Sequence, residues 1–150
     1  MPLNLPEYPL NIKKGATGQL IFDRLRKRFV ALTPEEWVRQ NFVEYLIHEK
    51  GYPAALMANE VSITQNGIKR RCDTLVANRH GLPLVVIEYK APHIGISQHT
   101  FDQIVRYNMV LRARWLIVSN GMNHYCCSID HQKGTYEFKA KIPSYGSLLE

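Results

Sequence analysis

The chain has 150 residues, 45% apolar and 21% charged, and carries 19 Lys and Arg against 13 Asp and Glu for a formal net charge of +6. That size and balance are those of an ordinary globular protein with room for one real core. No run of about 18 apolar residues occurs and Met1-Pro2-Leu3-Asn4-Leu5-Pro6-Glu7 lacks a basic region followed by an apolar stretch, so neither a membrane helix nor a secretory signal is expected and the chain reads as cytoplasmic.

Residues 1–18 carry Pro2, Pro6, Pro9, Gly15 and Gly18 and read as an irregular or extended arm on a single domain spanning 1–150. Gln19 to Asp23 and Arg28 to Leu32 fit short strands around a basic turn. Thr33-Pro34-Glu35-Glu36 opens a helix: Thr33 is a good N-cap, Pro34 suits the first turn and Glu36 completes a capping box. Val38, Phe42, Tyr45 and Leu46 follow at helical spacing until Gly51 and Pro53 end it.

Leu56 to Thr64 and Ile68 to Ala77 read as strands joined by the hairpin signal Asn66-Gly67. Leu84 to Lys90 is more apolar and so more central, and Ala91-Pro92 breaks it. A second helix is expected from Gln98 or Phe101 to Arg112. Trp115 to Val118 follows as a buried strand, parallel to the Glu88 strand through a right-handed crossover. Asn123 to Ile129 and Thr135 to Lys139 complete an α/β sandwich whose central mixed sheet is flanked by helices.

Cys72, Cys126 and Cys127 make an odd set with two neighbours adjacent, a poor disulfide framework, and no zinc-ligand spacing appears. Reduced thiols are expected. The positive charge gathers in Arg24-Leu25-Arg26-Lys27-Arg28, in Lys69-Arg70-Arg71 and in Arg106, Arg112 and Arg114. Such clusters attract nucleic acid, and they also occur as solvated faces.

Chemistry concentrates on one hairpin. Glu88 and Lys90, two apart on a strand, point the same way. If Asn78 pairs with Pro83 across the turn, Asp73 lies opposite Glu88. Carboxylates that close repel unless a proton or a metal sits between them. A hard cation such as Mg²⁺ takes such ligands, with the Tyr89 carbonyl as a third, and Lys90 is then placed to assist attack on phosphate. A cross-strand network of these acids with Lys90 or Arg71 fits the same spacing.

Five phrases in one order extend the pattern: Thr33-Pro34-Glu35-Glu36-Trp37-Val38-Arg39-Gln40, Lys69-Arg70-Arg71-Cys72-Asp73, Val86-Ile87-Glu88-Tyr89-Lys90-Ala91-Pro92, Gln103-Ile104-Val105-Arg106-Tyr107-Asn108 and Ser119-Asn120-Gly121. Together they resemble the PD-(D/E)xK nuclease superfamily. More narrowly, they resemble the N-terminal nuclease domain of type I restriction enzyme R subunits, over about Phe22 to Asn123. The resemblance implies a restriction endonuclease-like core in which Asp73 and Glu88 bind metal and Lys90 is catalytic. Gln103 and Tyr107 match the Q-x-x-x-Y motif of the RecB-like branch, which supports the site and helps place DNA.

An acid on the first helix usually joins the metal cluster. Glu36 is the candidate, although its capping box explains it equally, and Glu44 is the fallback. Tyr107 also fits a core aromatic. Cys72 stands where the superfamily often has proline. No P-loop follows, so no motor is inferred.

The expectation is a Mg²⁺- or Mn²⁺-dependent DNA endonuclease domain, with Arg39, Arg71, Gln103, Arg106 and Tyr107 contacting nucleic acid. Other restriction-system subunits are expected partners, and cutting both strands would suit a homodimer. The rivals are a catalytically silent nucleic-acid-binding module and an accessory subunit of a restriction or DNA-processing complex.

Overall fold

The computed structural model describes residues 1–149, with Gln65 described through its backbone only. β1 (Ile12–Lys14), β2 (Gln19–Asp23) and β3 (Arg28–Ala31) form a small antiparallel sheet in that order. The arm is therefore not irregular throughout. Its last part folds back because the Gly15 amide donates to the Gly18 carbonyl at 2.7 Å, setting Lys14 against Gln19.

Helix α1 (Pro34–Lys50) forms where its caps direct. Thr33 Oγ1 accepts from the Glu36 amide, and Gly51 closes the helix at φ 71°, a left-handed conformation that suits glycine. Only half of the expected capping box exists: the Thr33 amide bonds the Ala31 carbonyl, and the Glu36 side chain turns elsewhere.

The main sheet runs β4 (Met57–Gln65), β5 (Ile68–Ala77), β6 (Pro83–Tyr89), β7 (Trp115–Ser119), β8 (His124–Asp130) and β9 (Thr135–Lys139), neighbours in sequence order. Only β6 and β7 pair parallel, so the sheet is mixed. Helix α2 (Gln98–Asn108) makes the crossover between them. Ser97 caps it, and the chain tightens into a 3₁₀ turn over Met109–Leu111, before the expected end at Arg112.

Alternation along β6 and β7 feeds two cores. Val85, Ile87 and Ile117 pack on Val38, Phe42 and Leu46 of α1. Val86, Leu116 and Val118 pack on Phe101 and Val105 of α2. Each such side chain removed from water contributes about 1.5–3 kcal/mol. The result is the expected α/β architecture, a mixed sheet flanked by helices.

The β4–β5 hairpin departs from simple alternation. Met57 joins the α1 core, whereas Val61 and Ile63, an even number of residues on, join the α2 core. On the partner strand Val76 and Cys72 divide likewise. The roll occurs at Glu60, which holds φ 56° in mid-strand.

The arm's first residues lie across the end of β7. The Asn4 amide donates to the Gly121 carbonyl at 2.8 Å, and Leu3 and Leu5 pack on the α1 core. Gly121 sits at φ 84°, and a Cβ there would lie 2.7 Å from Leu3 Cδ2 and 3.2 Å from Val38 Cγ2. Gly121→Ala is expected to cost about 1–3 kcal/mol through that strained backbone. It should also loosen the arm, whose Met1 carbonyl accepts from Trp37 Nε1 at 2.9 Å. Urea unfolding followed by tryptophan emission checks both, and unchanged stability would reject the account.

Candidate active site

The β5–β6 ladder pairs Thr74 with Ile87, Leu75 with Val86 and Val76 with Val85. That register, carried one step on, sets Asp73 level with Glu88. The loop differs from expectation: a shift after Val76 sets Ala77, not Asn78, against Pro83. Asn78 instead closes the turn, its amide bonding the Leu82 carbonyl while Oδ1 accepts from the His80 and Leu82 amides.

Asp73 is held by backbone on two sides. Its Oδ2 accepts from the Tyr89 amide at 2.8 Å, and its carbonyl accepts from Arg39 Nη1 at 2.9 Å. Lys90 lies just past the end of β6, its amide bonded to the Ser119 carbonyl. Glu88 is under opposing demands. Its Oε1 is buried without a partner. Burial first, then the Asp73 charge and a hydrogen bond to Asp73, push its carboxyl well above the usual carboxylate range. The Asn108 amide and Lys90 ammonium pull the other way without cancelling them. A pair of level acids with one buried, unpartnered oxygen fits the donor set of a hard divalent cation, which would replace the proton.

The expected third acid does not join them. Glu36 Oε1 accepts from Arg26 Nη2 and Arg39 Nη2, and its Oε2 from Arg39 Nε and Gln40 Nε2, each at 2.8 Å. Both oxygens are thus occupied. Burial raises the Glu36 carboxyl, but these partners outweigh it and the net value is lowered. Glu44 pairs with Arg24 and His48 instead. Among the described residues no three His, Cys, Asp or Glu side chains are grouped to hold a metal. The first-helix acid serves the site indirectly, by fixing the arginine that fixes Asp73.

Arg39 is likewise not a surface contact. It is buried, and Glu36, Glu60 and the Asp73 carbonyl take its donors. Arg71 is the exposed one, with its Nε on Glu60 Oε2 at 2.6 Å and its amide on the Tyr107 hydroxyl at 3.2 Å. Tyr107 is not a core aromatic: it is 41% exposed, and the Arg70 guanidinium lies 4.8 Å from its ring centre. Gln103 and Arg106 are exposed on the same helix, Gln103 one turn from Tyr107. His80, His93 and His99 are exposed and outside the acid pair.

Two residues that sequence reasoning passes over belong to this site. Glu60 bridges Arg39 and Arg71. Its strand alternates without interruption, so no residue type marks the roll of the chain there. Asn108 is buried on α2, with Nδ2 on the Ile104 carbonyl at 3.0 Å and Oδ1 unpartnered. Its position beside Tyr107 was visible, its burial against Glu88 was not.

A family model described as the N terminus of the type I restriction enzyme R protein matches residues 34–143. No curated protein matches the chain. Among solved structures, a fragment assigned to the HsdR subunit of a type I restriction enzyme from Vibrio vulnificus YJ016 matches with a TM-score of 0.56 at 20% identity. The match covers 79% of this chain and 25% of that one, so the chain spans about a quarter of the fragment. A likeness at that identity bears on the fold, and it agrees with the restriction endonuclease-like core.

The Glu88 environment has a pH signature. Its value in the folded chain lies above the ordinary 4.5, so folding takes up a proton in the window above that value. The stability tied to this group is complete below it and is lost as pH rises toward the raised value. Glu88→Gln removes the titration. Its melting temperature should gain on that of the unaltered chain between about pH 5 and about pH 8. A difference independent of pH would show that Glu88 titrates normally.

Proposed function

We propose, for a chain that belongs to the family of type I restriction enzyme R protein N termini, that the Asp73–Glu88 pair is the centre of a metal-dependent DNA endonuclease. The observation that carries this reading is the buried, unpartnered Glu88 Oε1 beside Asp73. A structural network would have supplied that oxygen with a donor; an acid pair awaiting a cation leaves it open.

Asp73 and Glu88 would hold Mg²⁺ or Mn²⁺, which when bound supplies an activated water and offsets charge on a phosphate. The chain's own residues orient the reaction. The Tyr89 amide and Arg39 fix Asp73 at both its carboxylate and its backbone. Lys90 brings an ammonium to the same hairpin, suited to stabilising charge as phosphate is attacked. Arg71 and Tyr107, joined where the Arg71 amide meets the Tyr107 hydroxyl, and the exposed Gln103 and Arg106 on the same helix as Tyr107, would contact the DNA backbone. Choice of target then falls to other subunits of a restriction system.

The purified chain with Mg²⁺ or Mn²⁺ should nick supercoiled DNA. Asp73→Ala and Lys90→Ala should each slow nicking at least about a hundredfold while leaving the fold intact by circular dichroism. Equal nicking by these variants would sink the assignment. DNA binding without nicking, indifferent to Mn²⁺, would favour a silent binding module on the same fold.

A further inference from the structure

Glu60 carries a backbone conformation that an L residue adopts only when its surroundings impose it, φ 56° in the middle of a nine-residue strand. Its neighbours Asn59 and Val61 pair with Thr74 and Cys72, so Glu60 lies level with Asp73. The strand rolls from the α1 core to the α2 core at this residue. Its side chain therefore belongs to neither core and emerges between two arginines of opposite circumstance.

Arg39 is the fixed one. It is buried and clamped by Glu36 at both Nε and Nη2, and its Nη2 also reaches Glu60 Oε1 at 2.7 Å. Arg71 is the free one, with a side chain 66% exposed, and Glu60 Oε2 takes its Nε at 2.6 Å and its Nη2 as well. One edge of the Arg71 guanidinium is thus anchored to a buried frame. The Nη1 edge carries no protein partner in that clamp and keeps its donors for a planar two-oxygen ligand.

We propose that Glu60 is a positioning residue for Arg71, holding that guanidinium preoriented beside Asp73 to take a phosphate group of the DNA backbone. The inference rests on the endonuclease reading above. An unanchored arginine of this exposure must be ordered when the ligand arrives, which weakens binding. The plainer account of Glu60, that it merely neutralises Arg71, predicts the opposite sign: removing its charge would strengthen attraction to DNA.

That opposition defines the test, made on the whole chain without added metal by fluorescence anisotropy with a short labelled duplex. Glu60→Gln raises the net charge by one, yet it should weaken DNA binding about threefold to tenfold. Arg71→Lys keeps the charge but loses the planar fork, and should weaken binding comparably. The double variant should then bind no worse than Arg71→Lys alone, because Glu60 acts through Arg71. Equal or tighter binding by folded Glu60→Gln, or fully multiplicative losses in the double variant, would overturn the proposal. Should Glu60→Gln fail to fold, Glu60→Asn carries the same comparison, since asparagine accepts the left-handed backbone more readily. No DNA binding by the unaltered chain would overturn the endonuclease reading too, whereas tighter binding by the variant would overturn only the role of Glu60.

Discussion

The Arg39 guanidinium ties together three elements on which the site depends. It reaches Glu36 on its own helix, Glu60 on β4 and the Asp73 carbonyl on β5. Glu36 is tied in turn to Arg26, and Arg26 to Asp23. The charges alternate from the small sheet through α1 to the edge of the acid pair. Removing one member of such a buried chain leaves its neighbour's charge uncompensated, at about 3–5 kcal/mol, which exceeds what the intact pair contributes against an apolar substitute. The arrangement therefore specifies geometry more than it adds stability: α1 cannot shift along the sheet without moving Asp73.

Two kinds of carboxyl result, and their environments separate them. Burial alone would raise Asp23, Glu36 and Glu60, but their hydrogen-bonding partners outweigh it and lower all three. Such groups stabilise the fold above their ordinary range and lose that contribution as pH falls. Burial of Glu88 is instead reinforced by the Asp73 charge. A chain able to pair its other buried acids so thoroughly leaves this one strained. That contrast, more than the spacing of the three residues, is what supports the proposed reading of the pair over a structural network.

What could be read from the residues divides along the same line. Helix α1 and the central strands were legible because caps and apolar runs are local signals: Thr33, Gly51 and the run Leu84 to Tyr89 each act on their own neighbourhood. The Asp73–Glu88 register came out as expected although the turn pairing it was inferred from did not, because the shift after Val76 takes up the one-residue difference. That shift was not legible, since Asn78 closes the loop with its side chain. Glu36 misled because one residue suits a capping box and a metal cluster alike, and tertiary partners decided for neither. Glu60 gave no local sign: Met57, Asn59, Val61 and Ile63 alternate as one face should, and only the backbone at residue 60 shows that they form two.

The same distinction changes the meaning of the net charge. The basic run from Arg24 to Arg28 fitted either a binding surface or a solvated face, and in the fold Arg24 pairs with Glu44, and Arg26 with Asp23 and Glu36. Two of its four basic side chains are thus balanced by acids of the chain, while Lys27 and Arg28 stay exposed. On the β5 strand that carries Asp73, Arg71 is exposed with one edge of its guanidinium on Glu60, and Arg70 is laid on the Tyr107 ring. On the proposed reading, a duplex held by Arg71 would meet the Asp73–Glu88 pair, which would repel phosphate as long as both acids are charged. Attraction and repulsion would then lie within one hairpin. Neutralising the acids, by proton or by cation, would on that reading govern how closely a phosphate could approach Lys90.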